Sequence, residues 1–129
     1  MWDNRAQYVT NHDGDTVTYL SDMGRWIYHR ADVRLLGVWA PEISKREPGA
    51  IETRDFVRTW HESRIRGRRW PFLVTTSLVW AGNPDTSEAK KTLDRYVATV
   101  TCIETNEVLN LDVAAFVTAQ GYGGGIGAA

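Results

Sequence analysis

The sequence predicts a mostly β domain that also contains two helices, and three observations lead to this fold class. Five short apolar or alternating runs are separated by turn-forming residues, which is the pattern of short strands. A segment with helical spacing interrupts these runs after the third, and another follows the fifth. Five strands around one core with a helix after the third are typical of a Greek-key barrel of the OB type, with a capping helix and a C-terminal helix. A plain α+β sheet is the alternative.

The first three strands are predicted from alternation and from the turns between them. Tyr8–Thr10 is a short β-prone run, and the segment Asn11–Asp15 after it is rich in turn-forming residues. Thr16–Leu20 alternates between apolar and polar positions, so the two runs are expected to form a hairpin. Trp26–Leu36 is the third strand, in which Arg30–Asp32 disturbs the pattern and predicts a bulge or a wider loop.

The rest of the chain is predicted to form two helices and two strands. They are a helix at Ala50–Arg64, strands at Phe72–Val79 and Arg95–Ile103, and a helix at Asn110–Gln120. The first helix should bury the face that carries Thr53, Phe56, Val57 and Trp60. The last helix is expected to begin at Asn110 as N-cap, to end before Gly121, and to bury Leu111, Ala114, Ala115 and either Val117 or Thr118.

The composition is that of one domain, and it excludes several classes of protein. A chain of 129 residues with 43% apolar content builds one core, so residues 1–129 are predicted to form a single domain. The net charge of -1 predicts no general attraction to nucleic acid, so such binding would need a local patch. The single Cys102 excludes an intramolecular disulfide and a thiolate metal cluster. No run reaches the roughly 18 apolar residues of a membrane helix, and the N-terminus lacks the regions of a secretory signal. A soluble protein of a host-cell cytoplasm or of a virion is therefore expected.

The stretch Val33–Glu42 contains an apolar strand with a charge at each margin. Gly37 interrupts this strand, and Pro41 ends it because proline has no N–H for the ladder. Arg34 lies near the start of the stretch and Glu42 just past its apolar part. Both charges need a partner or a function, since an unpaired buried charge is costly. They form either a mutual salt bridge or a site in which Arg34 holds an anion and Glu42 transfers a proton.

Three segments resemble, in order and spacing, the staphylococcal nuclease-like (thermonuclease) family. They are Asp13–Thr16 (DGDT), Val33–Glu42 (VRLLGVWAPE) and Arg95–Val100 (RYVATV). The resemblance covers about residues 8–122 and leaves a Gly-rich tail at 121–129, and the compact form with its W-A-P-E variant resembles phage-encoded members. It implies an OB-type barrel that hydrolyses phosphodiester bonds of DNA or RNA, as an endonuclease on single strands, with Ca²⁺ or another divalent cation.

The resemblance also assigns roles to individual residues. Arg34 falls on the contact to the scissile phosphate, and Glu42 on the group that orients or deprotonates the attacking water. Arg95 falls on the arginine that stabilises the transition-state charge, although the usual Tyr-Gly-Arg context is Leu93–Arg95 here.

The implied metal site departs from the family at Trp39, where the family has its second metal-binding aspartate. An indole offers only an N–H and cannot bind Ca²⁺. Asp15 and the backbone carbonyl of Ala40 would hold the cation, with Asp13, or Glu42 through a water molecule, as a further candidate. Fewer carboxylates bind a hard cation more weakly. The chain is therefore interpreted as a nuclease with an altered metal site. The alternative is an inactive module, such as a phage structural or connector component, that binds protein or nucleic acid.

Two further features are candidates for binding nucleic acid. An arginine-rich segment after the first helix would contact phosphates, with Trp70 beside it to stack on a base; its members are Arg64, Arg66, Arg68 and Arg69. The alternative is a solvated loop with Trp70 in the core. Trp39 would either stack on a base or anchor a protein interface.

Overall fold

A computed structural model describes residues 2–77, 96–122 and 125–126 of the chain. The strands are β1 (Trp2–Asn11), β2 (Thr16–Asp22), β3 (Tyr28–Leu35), β4 (Val38–Trp39), β5 (Phe72–Ser77), β6 (Tyr96–Cys102) and β7 (Gly125–Ile126). The helices are α1 (Ala50–Ile65) and α2 (Leu109–Gln120). Arg95 and the predicted end of the fourth strand at Leu78–Val79 lie outside the described residues. Within the residues that the structure describes, no helix is long and apolar enough to cross a membrane.

Five strands close into a barrel in the order β1-β2-β3-β6-β5, with β5 pairing back onto β1. Four of the pairings are antiparallel, and β3 with β6 is parallel. The prediction of a five-stranded barrel of the OB type with two helices is confirmed. Outside the barrel, β4 pairs with β7, so Gly125–Ile126 of the Gly-rich tail forms a short antiparallel sheet with Val38–Trp39.

The irregularity predicted for the third strand lies in the first strand instead. The register of β2 with β3 is continuous from Thr16 opposite Arg34 to Asp22 opposite Tyr28, so the predicted bulge at Arg30–Asp32 is wrong. The register shifts in β1 between Tyr8 and Thr10. A polar residue in a strand therefore did not signal a bulge, because this part of β3 is exposed and tolerates charges.

The core fills the barrel and extends to both helices. The barrel contributes Ala6, Val17, Tyr19, Val33, Leu35, Phe72, Val74, Ala98, Val100 and Cys102. The helix α1 adds Val57 and Trp60, which confirms the face predicted for it, and Thr53 is buried on the same side. His61, one residue further on, is also buried.

The prediction for α2 is wrong at its start and in part of its buried face. Val108 occupies the N-cap position, and Asn110 lies inside the helix with its side chain buried. Its Nδ2 donates to the carbonyl oxygens of Leu36 at 2.9 Å and Ala98 at 3.0 Å, and its Oδ1 accepts the N–H of Val100 at 3.0 Å. Asn110 therefore joins α2 to β6 and to the turn after β3. Of the predicted stripe, Leu111 and Ala115 are exposed, and Val113 is buried in their place.

Candidate functional site

The turn between β1 and β2 is fixed against α1. The Nδ2 of Asn11 donates to the carbonyl oxygens of Asp13 at 3.2 Å and Arg54 at 3.0 Å. A Cβ on Gly14 would lie 2.3 Å from the Cγ2 of Thr53, which is closer than two carbon atoms can approach. Glycine at this position therefore lets α1 pack on the turn, and the packing holds the two flanking aspartates in place.

Asp15 is one of two buried carboxylates of this turn, and three neighbours contact it. The Oδ1 accepts the hydroxyl hydrogen of Thr16 at 3.3 Å, and the Oδ2 accepts the N–H of Ala40 at 3.4 Å. The same Oδ2 lies 3.8 Å from the Nη2 of Arg34. Burial raises the pKa of Asp15 above its usual value, and the Arg34 charge and the Ala40 N–H oppose this rise. The site is thus built around a carboxylate that is largely shielded from water.

Asp13 holds the other end of the loop that follows β4. It is buried, and its Oδ1 accepts the N–H of Ile43 at 3.1 Å. Together, Asp13 and Asp15 bond backbone N–H groups on both sides of Pro41 and Glu42. The DGDT segment therefore positions the A-P-E segment, although the two are far apart in the sequence.

Arg34 lies between the buried carboxylate and an exposed indole. Its position in β3 is opposite Thr16, which places its side chain next to Asp15. The guanidinium carbon is 5.6 Å from the centroid of the Trp39 ring, a cation–π geometry. The Arg34 side chain is 36% exposed and Trp39 is 46% exposed. At 3.8 Å the contact to Asp15 is an ion pair rather than a hydrogen bond, so it does not itself occupy the N–H donors of Arg34.

Glu42 is half-buried at the start of the loop and pairs with a lysine. Its Oε2 lies 3.5 Å from the Nζ of Lys45, and its carbonyl oxygen accepts the N–H of Glu47 at 3.2 Å. Arg34 pairs with Asp15 instead, so the mutual Arg34–Glu42 salt bridge is not among the ion pairs of the described residues. The sequence left that bridge open as the simpler explanation of the two charges.

The candidate site residues divide into a group that folding brings together and one outside the described chain. Asp13, Asp15, Arg34, Trp39 and Ala40 are gathered at one end of β2 and β3 by the contacts above, and Glu42 follows on the loop that both aspartates hold. Arg95 lies outside the described residues, and its role stays a prediction.

The carboxylates of this group fit only a cation that takes most of its ligands from elsewhere. A Ca²⁺ ion needs six to eight oxygen ligands. Asp13 and Asp15 supply two carboxylates, and each already accepts a backbone N–H. Among the described residues, no group of three or more His, Cys, Asp or Glu side chains could hold a metal ion. A cation held at Asp15 would take its other ligands from water and a phosphate, and the metal site stays a prediction.

The arginine-rich segment at the end of α1 and just after it does not form a single surface. Arg64 binds Glu107 with two bonds, Nη2 to Oε2 at 2.6 Å and Nε to Oε1 at 3.2 Å, and its guanidinium lies 4.5 Å from the Trp60 ring. The bonds between Arg64 and Glu107 tie α1 to the turn before α2, and they lower the pKa of Glu107. Arg64 thus has a structural role that accounts for its presence.

The other three arginines point to two different neighbours. Arg66 and Arg68 both pair with Glu104, at 3.4 Å and 3.1 Å. Arg69 instead lies over the Trp70 ring at 5.8 Å, and Trp70 stacks on Tyr28. Arg66 and Arg68 are therefore partly neutralised, while Arg69 belongs with the β2–β3 hairpin.

His61 is a buried group to which the sequence assigned no role. Its Nδ1 lies 2.7 Å from the carbonyl oxygen of Val57, and its Nε2 lies 2.5 Å from the hydroxyl of Tyr19. A neutral ring satisfies both contacts when Nδ1 donates to the carbonyl and Nε2 accepts from the tyrosine. Burial lowers the pKa of His61 to about 3. Its spacing of four from Val57 on α1 was the signal that could have placed it in the core.

A comparison of the sequence with protein-family models found no match, and a comparison with curated proteins also found none. The likeness to staphylococcal nuclease-like proteins therefore depends on the motif segments and on the barrel.

Proposed function

We propose that this chain is a divalent-cation-dependent nuclease, a hydrolase that cleaves phosphodiester bonds in single-stranded DNA or RNA. The observation that carries the proposal is the group formed by Asp15, Arg34 and Trp39. It joins a buried carboxylate, a partly exposed guanidinium and an exposed flat ring at one end of two barrel strands. This combination suits a phosphate with a base attached to it.

Each residue of the group has a task that phosphodiester hydrolysis requires. In-line attack builds negative charge on the phosphate oxygens, and a planar guanidinium binds two such oxygens at once. Arg34 is placed for this task because it is held by a carboxylate on one side and a ring on the other. Glu42 follows on the fixed loop and would accept the proton of the attacking water. A bound cation would lower the pKa of that water and offset charge on the phosphate.

The test is a cleavage assay with matched carboxylate variants. Fluorescent single-stranded DNA and RNA oligonucleotides are incubated with the full chain and a panel of divalent cations, with and without chelator. We expect metal-dependent cleavage that falls by about 10²-fold or more in Glu42→Gln, the usual contribution of a general base. Glu52→Gln, which changes an exposed carboxylate in the first turn of α1, should cleave like the wild type. Absence of cleavage with every cation, or equal rates in the two variants, would refute the proposal.

One observation favours a second candidate, the inactive module. Both aspartates already hold the loop, and Trp39 has an exposed ring at the position where the resemblance implies a carboxylate. In this case the DGDT and A-P-E segments keep a structural role, and the protein binds a partner as a component of a host cell or of a virion. The same assay separates the candidates, because the module shows no metal-dependent turnover.

A further inference from the structure

The turn between β2 and β3 exposes an unusual amount of apolar surface. Trp26 is 90% exposed, Ile27 60% and Met23 50%, and the neighbouring Tyr28 is also exposed. Three of these side chains belong to the turn itself, and Tyr28 is the first residue of β3. Single exposed apolar residues need no explanation, but a contiguous group of large ones marks an interaction surface.

The backbone of this turn is strained in a way that its residue types do not favour. Met23 N–H donates to the Ile27 carbonyl at 2.9 Å, and Ile27 N–H donates to the Gly24 carbonyl at 2.9 Å. Arg25 and Trp26, which lie between Gly24 and Ile27, have φ of 52° and 60°. Such hairpin turns favour Asn and Gly, which adopt positive φ easily. A bulky aromatic residue there, with almost no contact to the fold, is better explained by a ligand than by stability.

A second flat surface lies beside the turn. Tyr28 stacks on Trp70 with ring centroids 5.6 Å apart and an angle of 20° between the planes. Arg69 lies 5.8 Å from the Trp70 centroid. The pKa of Asp22 at the end of β2 is lowered mainly by hydrogen bonds from the Gly24 N–H and the Arg5 guanidinium, and the Arg69 charge adds to them. The hairpin tip and this stacked pair are thus brought together from two separate parts of the chain.

The charge of this surface selects the kind of partner. Arg25, Arg30 and Arg69 are exposed here. The carboxylate of Asp22 is already bonded, to the Arg5 guanidinium at 2.8 Å and the Gly24 N–H at 2.9 Å. Exposed rings interleaved with guanidinium groups bind a flexible polyanion that carries flat faces, which is single-stranded nucleic acid.

We propose that this surface, the hairpin platform, binds single-stranded nucleic acid. It comprises Met23, Arg25, Trp26, Ile27, Tyr28, Arg30, Arg69 and Trp70. One base stacks on Trp26 and another on the Tyr28–Trp70 pair, while the arginines contact phosphates. Stacking tolerates every base, so the platform binds without sequence preference.

The hairpin platform is separate from the candidate catalytic group. Tyr28 lies six residues from Arg34 along β3, which is about 20 Å at the rise of a strand. The proposal deepens the proposed function by adding a second contact for the same substrate class. It does not need catalysis, because its residues do not include Asp15, Arg34 or Glu42.

The test measures binding without cleavage. A fluorescein-labelled oligothymidylate is titrated with the full chain in the presence of chelator at low salt, and fluorescence anisotropy gives Kd. We expect saturable binding that weakens roughly five- to a hundredfold in Trp26→Ala, the effect of losing one stacked base. Arg25→Gln should make Kd less dependent on salt, because fewer counterions are released. Leu111→Ala is the matched control, since it removes an exposed apolar side chain from α2.

Several outcomes would overturn the platform. They are absence of binding by the wild type, unchanged Kd in Trp26→Ala, and equal weakening in Leu111→Ala. Vesicles of phosphatidylserine and sedimentation test for a membrane or a second copy of the chain as partner. If Trp26→Ala abolishes vesicle binding or self-association while oligonucleotide binding persists, the surface belongs to that partner instead. Intact binding with no cleavage under any cation keeps the platform and refutes only the nuclease. Metal-dependent cleavage together with an unchanged Kd in Trp26→Ala keeps the nuclease and refutes the platform.

Discussion

Replacing Arg25 by Asn and Trp26 by Gly should stabilise the fold while it removes binding at the hairpin platform. Both residues have positive φ in the β2–β3 turn, which costs a non-glycine residue about 1–2 kcal/mol each. Asn tolerates this conformation and Gly carries no steric cost there, although Gly gives back about 0.5–1 kcal/mol through the entropy of the unfolded chain. Trp26 is almost fully exposed, so its removal forfeits little packing.

The net expectation is an increase of about 1–3 kcal/mol in the free energy of unfolding, or about 4 °C in Tm for each kcal/mol. Urea unfolding followed by circular dichroism measures the change, with an unchanged m-value as the sign that only stability has shifted. Trp26→Ala is the control: it keeps a side chain at positive φ, so stability should stay within about 0.5 kcal/mol of the wild type. A double variant that is less stable than the wild type would show that the turn is not strained as argued.

Three other predictions follow from single residues. Trp39→Asp adds a carboxylate beside Asp15 and should raise the affinity for Ca²⁺ measured by calorimetry; unchanged heats of binding would contradict the assignment of Trp39 to the metal position. His61 has a pKa of about 3 in the fold and of 6.5 as an ordinary histidine, so the unfolded chain binds a proton first as pH falls. The contribution of the neutral ring to the free energy of unfolding is therefore complete above pH 6.5 and is lost between pH 6.5 and 3, at about 1.4 kcal/mol per pH unit. His61→Gln should flatten the dependence of urea unfolding on pH in that window, and a slope equal to that of the wild type would contradict the burial argument. Gly14→Ala should lose about 1–3 kcal/mol because its methyl group meets Thr53, and a smaller loss in urea would mean that α1 can move aside.

Folding brings together more of the residues predicted for the catalytic group than of those predicted for an arginine-rich surface. The types and order of Asp15, Arg34 and Glu42 pointed to one chemistry, and folding brings Asp15 to 3.8 Å from Arg34. The arginines from Arg64 to Arg69 are close in sequence, which predicts a shared surface. Folding instead pairs Arg64 with Glu107 and leaves Arg69 beside Trp70, because Arg64 lies in the last turn of α1 and Arg69 in the loop after it.

The elements with a clear hydrophobic period can be derived from the amino-acid sequence alone. The alternation of Thr16–Leu20 and the stripe of α1 report which face of each element is buried, and Gly121 ends α2 with φ of 73°. These features are local, because they depend on spacing within a single strand, helix or cap.

The contacts between distant elements, in contrast, become visible only in the folded chain. The polar start of β1 was not predicted as strand, yet Asp3 and Arg5 pair with β5 through their backbones. The two N–H groups bonded by Asp13 and Asp15, and the three backbone groups bonded by Asn110, likewise come from other elements. Backbone hydrogen bonding and the satisfaction of buried polar groups depend on which segments are adjacent in space. Periodicity along the chain carries no information about that adjacency, so barrel closure and the geometry of the site came from the fold.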